Sequence, residues 1–131
     1  MILVDSSVWI AFFNGQATPE ADCLDRLLGA EPLLIGDLIL AEVLQGFRRD
    51  ADYRKAKALL DTLEFRVLGG KAIAVAAADN YRRLRSAGIT PRKTIDMIIG
   101  TYCIVHGLEL LHADRDFDVL QQKLGLLIMA P

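Results

Sequence analysis

Ile2-Leu3-Val4-Asp5-Ser6-Ser7-Val8-Trp9-Ile10-Ala11-Phe12-Phe13 opens the chain with three apolar residues, three polar cap-forming residues and an apolar run of six. The first three read as a short buried strand. Asp5-Ser6-Ser7 supplies N-cap residues for a helix beginning near Val8, and Asn14-Gly15 ends that helix. The rest of the chain repeats this strand-to-helix step. Thr18-Pro19-Glu20 starts a second helix with proline at its first position, and Leu24, Leu27 and Leu28 line one face before Gly29. Residues 33–35 read as a second strand, 38–49 and 52–63 as helices, and 65–68 as a third strand closed by Gly69-Gly70. Helices follow over 72–85 and 93–106, then a strand over 108–111, a short helix over 114–124 and a last strand over 126–129. Strands that are short, apolar on both faces and alternate with helices predict an α/β three-layer sandwich around a mainly parallel sheet of about four to five strands. Its crossovers should be right-handed. Ligand sites in such sheets form outside the carboxyl ends of the strands, so residues just after a strand take priority in a functional reading.

Composition narrows the options. The 131 residues, 53% hydrophobic, fit a single domain over 1–131 with a real core and no linker-like tract. The longest apolar run, residues 95–105, is shorter than a membrane span and contains Asp96. No basic region precedes the apolar start, so the expectation is a cytoplasmic protein. Cys23 and Cys103 form no CxxC pair and are expected to be small core residues. There is no GxSxG elbow, P-loop or HExxH, and His106 and His112 are the only histidines. With a net charge of −2, nucleic acid could not be held by overall charge; it would need a local basic patch, metal ions or both.

Most acids fall on mixed polar stretches and read as solvated helix faces. Asp5 directly follows the first strand, Glu42 interrupts an apolar helix, Asp96 stands in the apolar run Ile95-Asp96-Met97-Ile98-Ile99, and Asp114 and Asp116 follow the fourth strand. Each has an ordinary reading as a helix cap, a first-turn acid or a surface residue. Jointly, they lie where strand ends and helix starts should meet one edge of the sheet. Carboxylates gathered there repel unless a cation intervenes, and oxygen-only ligands suit Mg²⁺ or Mn²⁺.

At these residues the chain resembles the PIN-domain ribonucleases, specifically the VapC-type toxins of type II toxin–antitoxin pairs. The opening Ile2 to Ile10 is similar to the start of such domains. Ala41-Glu42-Val43-Leu44-Gln45-Gly46, Thr94-Ile95-Asp96-Met97-Ile98-Ile99-Gly100 and Leu110-Leu111-His112-Ala113-Asp114-Arg115-Asp116-Phe117 are similar to three further motifs, in order and across the whole chain. The resemblance implies a PIN-like parallel sheet between helices and a Mg²⁺-dependent endoribonuclease. It makes Asp5, Glu42, Asp96 and Asp114 the catalytic metal-binding acids, Asp116 a further acid at the metal, and Ser6 a supporting hydroxyl. It also implies an RNA substrate, a VapB-like antitoxin that occludes the site, and a homodimer. An antitoxin arginine would match the acids in bidentate geometry.

Arg92 and Lys93 precede the Asp96 helix and are candidates for RNA phosphate contacts, with the cluster from Arg48 to Lys57 next in line. Trp9, Phe12 and Phe13, with Leu40, Leu44 and Phe47, are candidates for apolar partner-binding surface, the alternative being that they fill the core. His112 reads as a packed or capping residue. Two other functions compete. One is a Mg²⁺-dependent phosphatase on a doubly wound fold, opposed by Ser7, where an aspartyl-nucleophile enzyme wants a second acid. The other is a non-catalytic module whose acids bind a basic partner.

Overall fold

The computed structural model describes residues 1–131. Five strands, β1 (Ile2–Val4), β2 (Leu33–Gly36), β3 (Glu64–Arg66), β4 (Glu109–Leu111) and β5 (Leu127–Ile128), form one sheet in the order β3-β2-β1-β4-β5. Every pairing is parallel, as the strand–helix alternation predicts. Seven α-helices connect them: α1 (Ser6–Phe13), α2 (Pro19–Leu27), α3 (Asp37–Leu44), α4 (Asp50–Leu60), α5 (Lys71–Ser86), α6 (Thr94–His106) and α7 (Asp118–Leu124). The main contacts tie α1 to α2 and α3, α3 to α4, and α5 to α6. None of these helices is long and apolar enough to cross a membrane.

One core of 27 buried residues joins the layers, with Leu3, Val4, Leu34, Leu110 and Leu111 of the central strands inside it. Cys23 and Cys103 are buried there as free thiols. Strand order decides where a site can form. From β1 the chain winds outward through β2 to β3, then crosses back to β4 and β5 on the other side. The switch in direction lies between β1 and β4, which opens a crevice beyond their carboxyl ends. The Asp5 N–H donates to the Leu111 carbonyl at 2.9 Å and so extends the β1–β4 pairing up to that crevice.

Three expectations are corrected. The third strand is not apolar on both faces: it is the sheet edge, and Phe65 is 52% exposed. Leu68, expected in that strand, leaves it to pack where a side chain on Gly36 would otherwise stand, and its N–H donates to Asp37 Oδ1 at 2.9 Å. The third helix stops at Leu44 rather than near Arg49, because Gly46 falls in the turn that redirects the chain into α4. The expected helix over 114–124 is a 3₁₀ turn, Arg115–Phe117, followed by α7. Asp114 caps that turn by accepting from the Asp116 N–H.

Candidate metal centre

Asp5 caps α1. Its Oδ2 accepts from the Ser7 N–H at 3.0 Å and from the Ser7 hydroxyl at 2.6 Å. Its Oδ1 is buried with no hydrogen-bond partner. The Ser7 hydroxyl in turn accepts from the Ala113 N–H at 3.1 Å, so one serine ties the segment after β1 to the segment after β4. Ser6 donates to Glu42 Oε1 at 3.2 Å and orients that carboxylate from α3. Asp96 lies in the first turn of α6, only 8% exposed, and its Oδ2 has no hydrogen-bond partner.

From the β4 side, Asp114 uses Oδ1 to accept from the Asp116 N–H at 2.9 Å. Carboxylate oxygens of Asp96, Asp114 and Asp116 all lie within 4.8 Å of one another. Lys93 reaches into this group: its Nζ is 3.0 Å from Asp114 Oδ2, 3.8 Å from Asp96 Oδ2 and 3.9 Å from Asp116 Oδ2. Arg92 donates to Asp116 Oδ1 at 3.1 Å.

The carboxylates sense one another. The Asp96 pKa is raised from 3.8 to about 7, mainly by burial, with the negative charges of Asp5, Asp114 and Glu42 contributing and Lys93 opposing. Burial likewise pushes Asp5 up; the Ser7 hydrogen bonds work against it, and Asp114 adds a smaller upward push. Glu42 is raised by burial and by Asp5, and held back by Ser6 and Lys93. Asp114 moves the other way: burial alone would raise it, but hydrogen bonds from the Asp116 N–H and Lys93 outweigh that and bring it down. Acids on four different segments therefore share one electrostatic site.

The donors fit a divalent cation. Buried oxygens of Asp5, Asp96 and Asp116 lack hydrogen-bond partners, an arrangement that is costly without a cation. No histidine or cysteine side chain is among the clustered ligands, so the set is all oxygen, the chemistry of a hard ion. The Lys93 ammonium already marks the position as one that accepts positive charge.

The sequence-predicted acids thus lie at the crevice, and Asp116 joins the tightest part of the cluster. Ser6 faces Glu42. Arg92 and Lys93 lie at the rim of the acidic group and pair with Asp116 and Asp114 there. His112 packs as expected: its ring lies 5.0 Å from Phe117, and Nδ1 accepts from the Asp114 N–H at 3.1 Å. Trp9 is fully buried and belongs to the core, which removes it from the partner surface; Phe12, Phe13, Leu40, Leu44 and Phe47 are half-buried. Ser7 is the residue that sequence reasoning missed as part of the site. The signal was present in Asp5-Ser6-Ser7, where a hydroxyl two residues after an N-cap acid can hydrogen-bond back to it.

Residues 2–123 match the family described as the PIN domain. A VapC ribonuclease of Mycobacterium bovis and ribonuclease VapC11 of Mycobacterium tuberculosis are each 34% identical over 128 residues, covering 96% of both chains. Among solved structures, VapBC2 from Rickettsia felis bound to a promoter DNA fragment aligns with a TM-score of 0.74 at 16% identity, covering 98% of each chain. A toxin–antitoxin complex from Klebsiella pneumoniae gives a TM-score of 0.71 at 20% identity, covering 100% of this chain and 98% of that one. VapC20 of Mycobacterium tuberculosis, a sarcin–ricin loop cleaving toxin, gives 0.66 at 17% identity, covering 91% and 94%.

Proposed function

This chain belongs to the PIN-domain family as a VapC-type ribonuclease toxin, and from that premise we propose that Asp5, Glu42, Asp96 and Asp114, with Asp116, hold Mg²⁺ for the hydrolysis of RNA phosphodiester bonds. The observation that carries the reading is the cluster of Asp96, Asp114 and Asp116, with Asp5 and Glu42 close enough to act on the Asp96 charge, and with buried oxygens of Asp5, Asp96 and Asp116 left unpartnered. Bound there, the ion supplies an activated water nucleophile and positive charge against the negative charge that develops on the phosphate.

The chain's own residues do the positioning. Ser7 holds one Asp5 oxygen and leaves the other, buried and without a partner, available to a cation. Ser6 fixes Glu42, and the Asp116 N–H fixes Asp114. Lys93 partly neutralises the acids, and a divalent ion held there would compete with its ammonium for Asp114. Mn²⁺ serves in place of Mg²⁺.

The partner in this reading is a VapB-like antitoxin that places an arginine among the acids, where Lys93 already contributes a cation. The protein acts in the cytoplasm as a homodimer, with the half-buried apolar residues of α1 and α3 available to partners.

Bulk RNA incubated with Mg²⁺, with EDTA, and with the Asp96→Asn variant tests the function. Expected are cleavage with Mg²⁺, none with EDTA, and a loss of about a hundredfold or more in the variant. Full Mg²⁺-dependent cleavage by Asp96→Asn would remove Asp96 from the site, and Mg²⁺-independent cleavage would refute the mechanism.

A further inference from the structure

Arg92 and Lys93 are paired with the acids in the metal-free protein, whereas a second group of cations on the other side of α1 and α3 is unpaired. A cavity of about 430 Å³ lies where the end of α1 meets the turn between α3 and α4. Phe13, Phe47, Arg48, Arg49, Asp52 and Lys55 are among its lining residues, which sets three cations against one carboxylate. Arg48, Arg49 and Lys55 are exposed and make no ion pair, whereas nearby Lys57 is held by Asp61 at 2.7 Å. Phe13 and Phe47 meet edge to face at 5.6 Å and form one aromatic wall.

The same two helices reach the acidic centre. α1 begins beside Asp5 and Ser6 and ends at Phe13, a length of about 12 Å for eight residues. α3 carries Glu42, about one turn before Gly46 on the cavity wall. A strand lying on the acids could therefore continue into the cavity.

We propose that this cavity is a nucleotide subsite for the RNA strand flanking the cleaved phosphate, an inference that rests on the ribonuclease reading above. Arg48, Arg49 and Lys55 hold backbone phosphate, the guanidinium groups by their forked donors. A base packs on the Phe13–Phe47 wall, the sequence-tolerant stacking common at single-strand sites. The lining favours RNA over an amphipathic peptide helix: only three of its nine residues are hydrophobic, and a helix-binding groove needs a continuous apolar floor.

The test uses the full chain and a short fluorescein-labelled oligouridylate, titrated in EDTA at several salt concentrations, followed by cleavage kinetics with Mg²⁺. Arg48→Ala/Arg49→Ala should weaken binding about tenfold. It should also flatten the dependence of log affinity on log salt by roughly 1.4, about 0.7 for each lost phosphate contact. In the kinetics KM should rise by a similar factor, with kcat within about twofold. Arg82→Ala/Arg83→Ala, the same charge change on the exposed face of α5, is the control and should leave both readouts near wild type. Equal effects from the two double variants would mean a general charge effect and overturn the subsite. So would unchanged affinity in Arg48→Ala/Arg49→Ala, or displacement of the RNA by polyglutamate of equal charge as effectively as by unlabelled RNA. Absence of Mg²⁺-dependent cleavage by the wild type would instead refute the ribonuclease reading, whatever the binding data show.

Discussion

Asp96→Asn should stabilise the metal-free protein while abolishing its activity. Asp96 is 8% exposed and its Oδ2 has no hydrogen-bond partner; burial is the main cause that raises its pKa to about 7, with Asp5, Asp114 and Glu42 adding to the rise and Lys93 opposing it. A folded-state pKa above the unfolded value means that the folded protein binds the proton more tightly. Stability therefore falls as pH rises through 3.8, and the full penalty is reached above about 7. The rise of roughly 3 pKa units sets a ceiling of about 4 kcal/mol. Water at the open rim screens part of this, so about 2 kcal/mol is the working figure. For a chain of this size that is a melting-temperature gain of roughly 8 °C. The assay is thermal unfolding of wild type and variant in EDTA, at pH 8 and at pH 4. The gain should be present at pH 8 and nearly gone at pH 4. Adding Mg²⁺ should raise the wild-type melting temperature and do little for the variant, because binding to the folded state is what stabilises. An Asp96→Asn protein that melts lower than wild type at pH 8 without metal would refute the claim that burial and the neighbouring acids penalise the Asp96 charge in the metal-free protein.

Lys93→Met should tighten Mn²⁺ binding, measured by calorimetry at alkaline pH, because it removes a competing charge; about 1–2 kcal/mol from several partly exposed ion pairs corresponds to roughly 5- to 30-fold, and equal or weaker binding would contradict the competition. Ser7→Ala should cost about 1–2 kcal/mol in urea unfolding at neutral pH by removing the hydroxyl bonds to Asp5 and Ala113. Without that hydroxyl the Asp5 pKa rises further, so the acidic limb of the activity profile should move to higher pH; an unmoved limb would detach Ser7 from the site. Gly36→Ala should destabilise by about 1–3 kcal/mol, since its new methyl would collide with the buried Leu68 side chain, and a neutral result in urea unfolding would show that Leu68 can move aside.

Local pattern was enough to identify the order of elements and the class of fold. Short apolar runs such as Ile2–Val4, each followed by cap residues and a helix, leave a parallel sheet as the arrangement that buries both faces. The acids Asp5, Asp96 and Asp114 were legible for a related reason: each stands where a strand ends or a helix begins, an unusual place for a cluster of unpaired charge. Tertiary structure alone decided which groups meet. Ser7 and the Ala113 N–H are 106 residues apart, and their bond exists only because β1 pairs with β4. Lys93 reads locally as a cation in front of a helix, and strand order brings Asp114 within reach of it. Trp9 and Phe65 show the same limit in the core and at its edge: both are large aromatics, yet one is sealed inside and the other stands on an edge strand. Periodicity reports which residues share a face of one element; it carries no information about what, if anything, covers that face.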